Sequence, residues 1–191
     1  MQFKEAGNYI LNRLNNELPD HLYYHNKAHT QDVYDAAKQL AAFEKINAYE
    51  TQLLLTAACY HDSGFLERTA GHETVSCRIA SQTLPGYGYT ESEIERICGI
   101  IMATKLPQQP KNLLEQVLSD ADLDYLGRDD FPLISHKLFL EVLALGTVAS
   151  KEEWDHLQVE FIGNHHYFTH SAIKLRAAKK EENLKQIKAK L

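Results

Sequence analysis

Apolar residues recur at three- and four-residue intervals along nearly the whole chain, and no alternating run predicts a strand. Phe3, Ala6, Ile10 and Leu14, widened by Leu11, predict a first amphipathic helix that stops near Leu18-Pro19. A second is expected over 33–46, with Val33, Ala36, Ala37, Leu40 and Phe43 as its inner stripe. Residues 49–60 are so continuous in Leu and Ala that a central, all-round buried helix is expected. His72 opens a fourth helix, and Pro85-Gly86-Tyr87-Gly88 ends it. Thr90 with Glu93 forms a capping box for a fifth helix running to about Met102. After the Pro107 and Pro110 breaks, Asn112 caps a sixth helix that leads into Ser119-Asp120-Ala121-Asp122-Leu123-Asp124. Residues 131–145 and the stretch bearing Trp154, Leu157, Phe161 and Ile162 predict two more. The charged segment 171–191, with a thin stripe of Ile173, Leu184 and Ile187, is expected to lie across the others as a clamp or to mediate self-association. The pattern predicts an all-α fold of eight or nine helices in one domain over 1–191.

Composition narrows the class. A chain of 191 residues with 44% hydrophobic content can bury one good core. With no lipid-length apolar run and no basic-then-apolar leader, a soluble cytoplasmic protein without a membrane partner is expected. A net charge of −6 argues against general nucleic-acid binding but leaves room for a small anion in a local basic pocket. Cys59, Cys77 and Cys98 have no CxxC spacing and read as reduced thiols on apolar helix faces.

The chemistry gathers around His61-Asp62. Adjacent positions do not share a helix face, yet at the end of an apolar helix, with Gly64 following, both side chains can bend toward one ion. Upstream lies an imidazole-rich segment with His21, His25 and His29, the last two four residues apart. Downstream, Asp120 follows an apolar run, where a buried carboxylate needs a cation or a proton. Asp122 and Asp124 read as the wet end of that helix. His29, His61, Asp62 and Asp120 together make a mixed nitrogen and oxygen set, suited to Mn, Fe, Ni, Co, Zn or Mg rather than to a soft metal. His166 and His170 also stand four apart, but no carboxylate sits at ligand spacing, and Tyr167 and Phe168 beside them suggest a packed aromatic wall.

These blocks, in this order, resemble the HD superfamily of metal-dependent phosphohydrolases. His29 stands in the place of the first ligand, His61-Asp62 in that of the central pair, and Asp120 in that of the last. The resemblance spans about Leu22 to Arg128, with 131–191 as a C-terminal helical extension. There, Asn164-His165-His166-Tyr167-Phe168 and Glu182-Asn183-Leu184 are similar to the carboxyl region of a bacterial subgroup of predicted phosphohydrolases. The resemblance implies a compact multi-helix bundle, one divalent metal ion, and hydrolysis of a phosphate ester by metal-activated water. A nucleotide or similar small phosphomonoester or phosphodiester is the expected substrate. Two-metal members carry two further histidines; His72 resembles the first, but Ala103 and its neighbours hold no second, so one ion is expected.

Within that frame Asp62 or Glu73 orients the attacking water. Arg68, Lys105 and Arg128, with Lys27 behind them, are the candidate phosphate-binding cations, and His72 and His25 the candidate substrate contacts. A regulatory module that binds a nucleotide without turnover, and a two-metal diesterase or oxygenase, stay open as alternatives. The C-terminal helices are the candidate surface for a homo-oligomer.

Overall fold

Helix α3 (Ala48–Tyr60) is buried at every position from Leu53 to Tyr60. It is the axis of the computed structural model, which describes residues 1–191 and contains helices and short helical turns only. Around it pack α1 (Phe3–Glu17), α2 (Lys27–Phe43), α4 (His72–Thr83), α5 (Glu91–Met102) and α6 (Leu113–Asp122). Their inner stripes, including Ile10, Leu40, Ile79, Ile97 and Leu118, form one apolar core with α3. No helix is long and apolar enough to cross a membrane.

The elements follow the predicted pattern closely, and their caps explain the boundaries. The capping box of α5 forms between Thr90 and Glu93, and Asn112 accepts the Glu115 N–H at the start of α6. One boundary moves: α2 begins at Lys27, not at Val33, because Asn26 Oδ1 accepts the N–H groups of Ala28 (2.9 Å) and His29 (3.4 Å). That cap places His29 in the first turn of a helix with a fixed direction.

Helices α7 (Phe131–Ala144), α8 (Lys151–Asn164) and α9 (His170–Lys188) build a second, smaller core. Leu184 and Ile187 of α9 meet Leu126, Phe131 and Ile162 in it. Leu184 and Ile187 of the predicted stripe are thus used inside the chain, as a clamp, while Ile173 is exposed. Polar contacts fix its register: Asn183 Nδ2 donates to the carbonyls of Leu126 (2.9 Å) and Arg128 (3.0 Å), and Arg176 Nε donates to Asp124 (2.7 Å). The approach is close enough that a Cβ on Gly127 would lie 2.4 Å from the Arg176 carbonyl oxygen, so this turn needs glycine. The clamp holds α7 and α8 beside the ends of α3 and α6.

Candidate metal centre

Three helix ends converge. His61 and Asp62 close α3, His29 opens α2, and Asp122 ends α6. His61 Nδ1–H donates to the Ala58 carbonyl at 2.8 Å, which leaves Nε2 with its lone pair directed away from its own helix. Asp62 Oδ2 lies 3.3 Å from His29 Nε2 and 3.2 Å from His61 Nε2; Asp122 Oδ1 lies 3.3 and 3.4 Å from the same two atoms. Ligands held about 2.0–2.2 Å from one small divalent ion sit roughly this far from each other.

The donor atoms also lack other employment. His29 Nε2, His61 Nε2 and Asp62 Oδ2 are buried with no hydrogen-bond partner, a costly arrangement unless a cation or proton fills the space between them. Electrostatics agrees. Burial works to keep His29 and His61 neutral, but Asp62 and Asp122 outweigh it and raise both imidazoles. Burial works equally to raise the carboxyls, yet the histidines hold Asp62 well below the ordinary range and bring Asp122 down to about 2. The result is a buried His/His/Asp cluster able to coordinate a divalent ion, and it is the only such cluster in the chain.

The last acid of that cluster is Asp122, which corrects the expectation for Asp120. Residues two apart on a helix point about 200° apart, so α6 can offer only one of the two to the histidines. Asp120 faces the other way, where its carboxylate accepts from Phe168 N–H (2.8 Å), Thr169 N–H (2.8 Å) and the Thr169 hydroxyl (2.7 Å). It anchors the turn into α9. Asp122, read from sequence as wet surface, is the acid that faces the ion site.

Above the cluster opens a cleft of about 510 Å³. Its polar side carries Asp62, Asp122, His25, His72 and Glu73, and its apolar side Leu138, Trp154, Leu157, Phe161 and Ile162 from α7 and α8. His72 Nδ1–H donates to the Thr69 carbonyl (3.0 Å), and Nε2 approaches Asp62 Oδ1 (3.2 Å) and Glu73 Oε1 (3.9 Å). Glu73 is buried in the cleft wall. The whole wall depends on the close seating of α4: a Cβ on Gly64 would lie 2.0 Å from the His72 carbonyl oxygen, while Gly64 N–H donates to Ser76 Oγ at 2.8 Å. Phe65 stacks on His25, with ring centroids 4.2 Å apart, and touches His72 at the same distance.

His25 is held by a residue that the sequence reading missed. Glu141 of α7 is buried, pairs with His25 Nδ1, and accepts the backbone N–H groups of Tyr24 (2.8 Å) and His25 (3.0 Å). Burial pushes the Glu141 carboxyl up, but the His25 ring and these donors together bring it below its usual value. A lone acid within Phe139-Leu140-Glu141-Val142-Leu143 was the available signal.

The candidate cations separate. Lys105 lines the cleft and is the only lysine or arginine that does. Arg68 is exposed near Gly71 at the cleft edge and is not among the lining residues. Arg128, expected as a phosphate contact, is otherwise engaged: its guanidinium donates to Asp32 (2.8 and 2.9 Å) and Asp130 (2.8 Å through Nε) and lies 3.6 Å from Asp124. Three carboxylates leave it little charge for an anion. Where a second metal would need another histidine, Ala103 and Thr104 are buried, and the Thr104 hydroxyl donates to the Ile101 carbonyl. His165 and His166 lie together in a neighbouring depression with Phe168, apart from the ion site.

No protein-family model matches the chain, and no curated protein does. Solved structures match over nearly its whole length. A predicted HD superfamily hydrolase from an uncultured Thermotogales bacterium is 21% identical with a TM-score of 0.64, covering 98% of this chain and 91% of that one. A Lactobacillus plantarum protein is 20% identical with a TM-score of 0.68, covering 99% and 96%. Bacillus subtilis YpgQ, solved in complex with ADP, is 18% identical with a TM-score of 0.66, covering 100% and 97%. At these identities the likeness concerns the fold alone, an all-helical bundle that these three proteins share with this chain over nearly its whole length.

Proposed function

We propose, on the premise of an HD-superfamily-like bundle with a buried His/His/Asp cluster, that the protein hydrolyses a small phosphate ester, with a nucleotide as the preferred substrate. The observation that carries this reading is the set of unpartnered His29, His61 and Asp62 atoms at the floor of an open cleft. His29, His61, Asp62 and Asp122 would hold one divalent ion. Such an ion, when bound, supplies positive charge for phosphoryl oxygens and lowers the pKa of water.

The chain's own residues supply the rest. A phosphate ester is an anion, and Lys105 at the cleft wall offers it a counter-charge. Glu73, buried in the same wall near His72, would accept a proton from the attacking water in this reading. Burial works to lower the His72 ring, Asp62 and Glu73 raise it, and its Nε2 is directed at these two carboxylates in the cleft wall. Across the cleft, Trp154, Leu157 and Phe161 offer an apolar face to the organic part of the ester. A cleft of this size admits a nucleotide. That YpgQ, of the same fold, was solved with ADP supports the preference without assigning the ester.

The direct test is hydrolysis of a panel of nucleoside phosphates and an aryl phosphate by protein stripped with a chelator and then reloaded with Mn, Fe, Ni, Co, Zn or Mg. Activity that disappears with the metal and returns with it is the expected result. Tight nucleotide binding with no turnover under any metal would move the protein to the regulatory reading. In the active protein, Lys105→Ala is expected to raise KM roughly tenfold with kcat little changed. Arg68→Ala is expected to leave both unchanged, and steady-state kinetics on the best substrate checks both.

A further inference from the structure

On the α4–α5 interface, outside the cleft, two thiols face each other. Cys77 Sγ lies 3.5 Å from the Cys98 carbonyl oxygen and Cys98 Sγ lies 3.6 Å from the Cys77 carbonyl oxygen. The Ser81 hydroxyl lies 3.8 Å from Cys98 Sγ. Both residues keep partial solvent access, whereas Cys59 is buried in the main core. Reciprocal contact of this kind sets the two cysteines directly against each other across neighbouring helices, the arrangement from which a disulfide can close.

We propose that Cys77 and Cys98 form an oxidative modification site, closed to an intrachain disulfide by a small-molecule disulfide such as oxidised glutathione. Cys98 is the attacking group: the neighbouring Cys77 thiol and the Ser81 hydroxyl lower it to about 7 against the opposing effect of burial, while Cys77 is raised. The Cys98 thiolate attacks one sulfur of oxidised glutathione, forming a mixed disulfide and releasing one glutathione thiolate. The Cys77 thiol then gives its proton to solvent and attacks the Cys98 sulfur, releasing the second glutathione. The protein loses two hydrogens and two electrons, and one glutathione disulfide becomes two thiols.

The bond would tie α4 to α5. Helix α4 starts with His72 and Glu73 in the cleft wall, and Cys77 lies one turn beyond Glu73. Oxidation therefore fixes the helix on which that wall is built. This inference stands whether or not the cleft hydrolyses phosphate esters.

The test is incubation of the full chain with oxidised glutathione, alkylation of remaining thiols under denaturing conditions, and peptide mass mapping. A Cys77–Cys98 linked peptide with Cys59 alkylated is expected, together with a rise of several degrees in melting temperature that dithiothreitol reverses. In the Cys77→Ser variant, glutathione should remain attached to Cys98. Alkylation of both Cys77 and Cys98 in the treated wild-type chain would overturn the proposal, as would a persistent glutathione adduct on it or a disulfide between two chains.

Discussion

Asp122→Ala is expected to strip metal from the folded protein and abolish hydrolysis, while Asp120→Ala is expected to keep the metal and lose stability. The two acids are separated by one alanine, but α6 turns them to opposite sides. Asp122 Oδ1 sits 3.3 and 3.4 Å from the two histidine Nε2 atoms, and removing it takes away one of the three donors of the His/His/Asp cluster. Loss of a group that merely supports a ligand weakens metal binding by about 10–100-fold, so loss of a donor should cost at least that. Fold stability without metal should change little, because Asp122 is partly exposed and only the raised histidines lean on it. Asp120 is fully buried and accepts three hydrogen bonds from Phe168 and Thr169. Truncation leaves those donors in the interior without a partner, at about 3 kcal/mol, or a fall of roughly 6–12 °C in melting temperature for a chain of this size. Metal titration and thermal unfolding of both variants check the pair. Metal loss in the Asp120 variant with Asp122 intact would restore the order expected from sequence.

Glu141→Ala should be the most damaging change in the wall of the cleft. The side chain joins α7 to the start of α2 across 116 residues of sequence, accepting from two backbone N–H groups and the His25 ring. Without it, the backbone donors at Tyr24 and His25 and the His25 ring lose their shared partner, a cost of about 3 kcal/mol. Glu141→Gln keeps a carbonyl oxygen for the backbone donors and should recover about half of that stability. It should not restore substrate affinity if His25 must be held by a charge, so the KM of the glutamine variant separates support of the fold from positioning of His25. Equal stability of wild type and Glu141→Ala in thermal unfolding would contradict the described contact.

How much could be read in advance depended on how locally each feature is encoded. Helix α3 announces itself through an unbroken apolar run, and the His61-Asp62 pair is legible because it stands where that run ends. The caps at Thr90 and Asn112 are local hydrogen bonds between near neighbours, so the sequence contains all of their parts. Asn26 is equally local, but the histidine-rich segment around it has no apolar periodicity to mark a helix before Val33, so the start of α2 at Lys27 shows only in the cap itself. Asp120 and Asp122 could not be separated locally: both follow the same apolar run, and only the rotation of α6 against α2 and α3 decides which one meets the histidines. Arg128 was legible in part: Asp124 and Asp130 stand four and two residues away in sequence, while Asp32 comes within reach only when α2 is in place. Glu141 is the longest-range of these, since its partners Tyr24 and His25 stand 117 and 116 residues away in the sequence.

The measurement that bears most directly on the ion site is anomalous diffraction from a crystal of the protein loaded with manganese. One peak between His29 Nε2, His61 Nε2 and the carboxylates of Asp62 and Asp122, with Asp120 still bonded to Phe168 and Thr169, is the predicted result. A peak on Asp120, a second peak beside His72, or no peak at the floor of the cleft would contradict it.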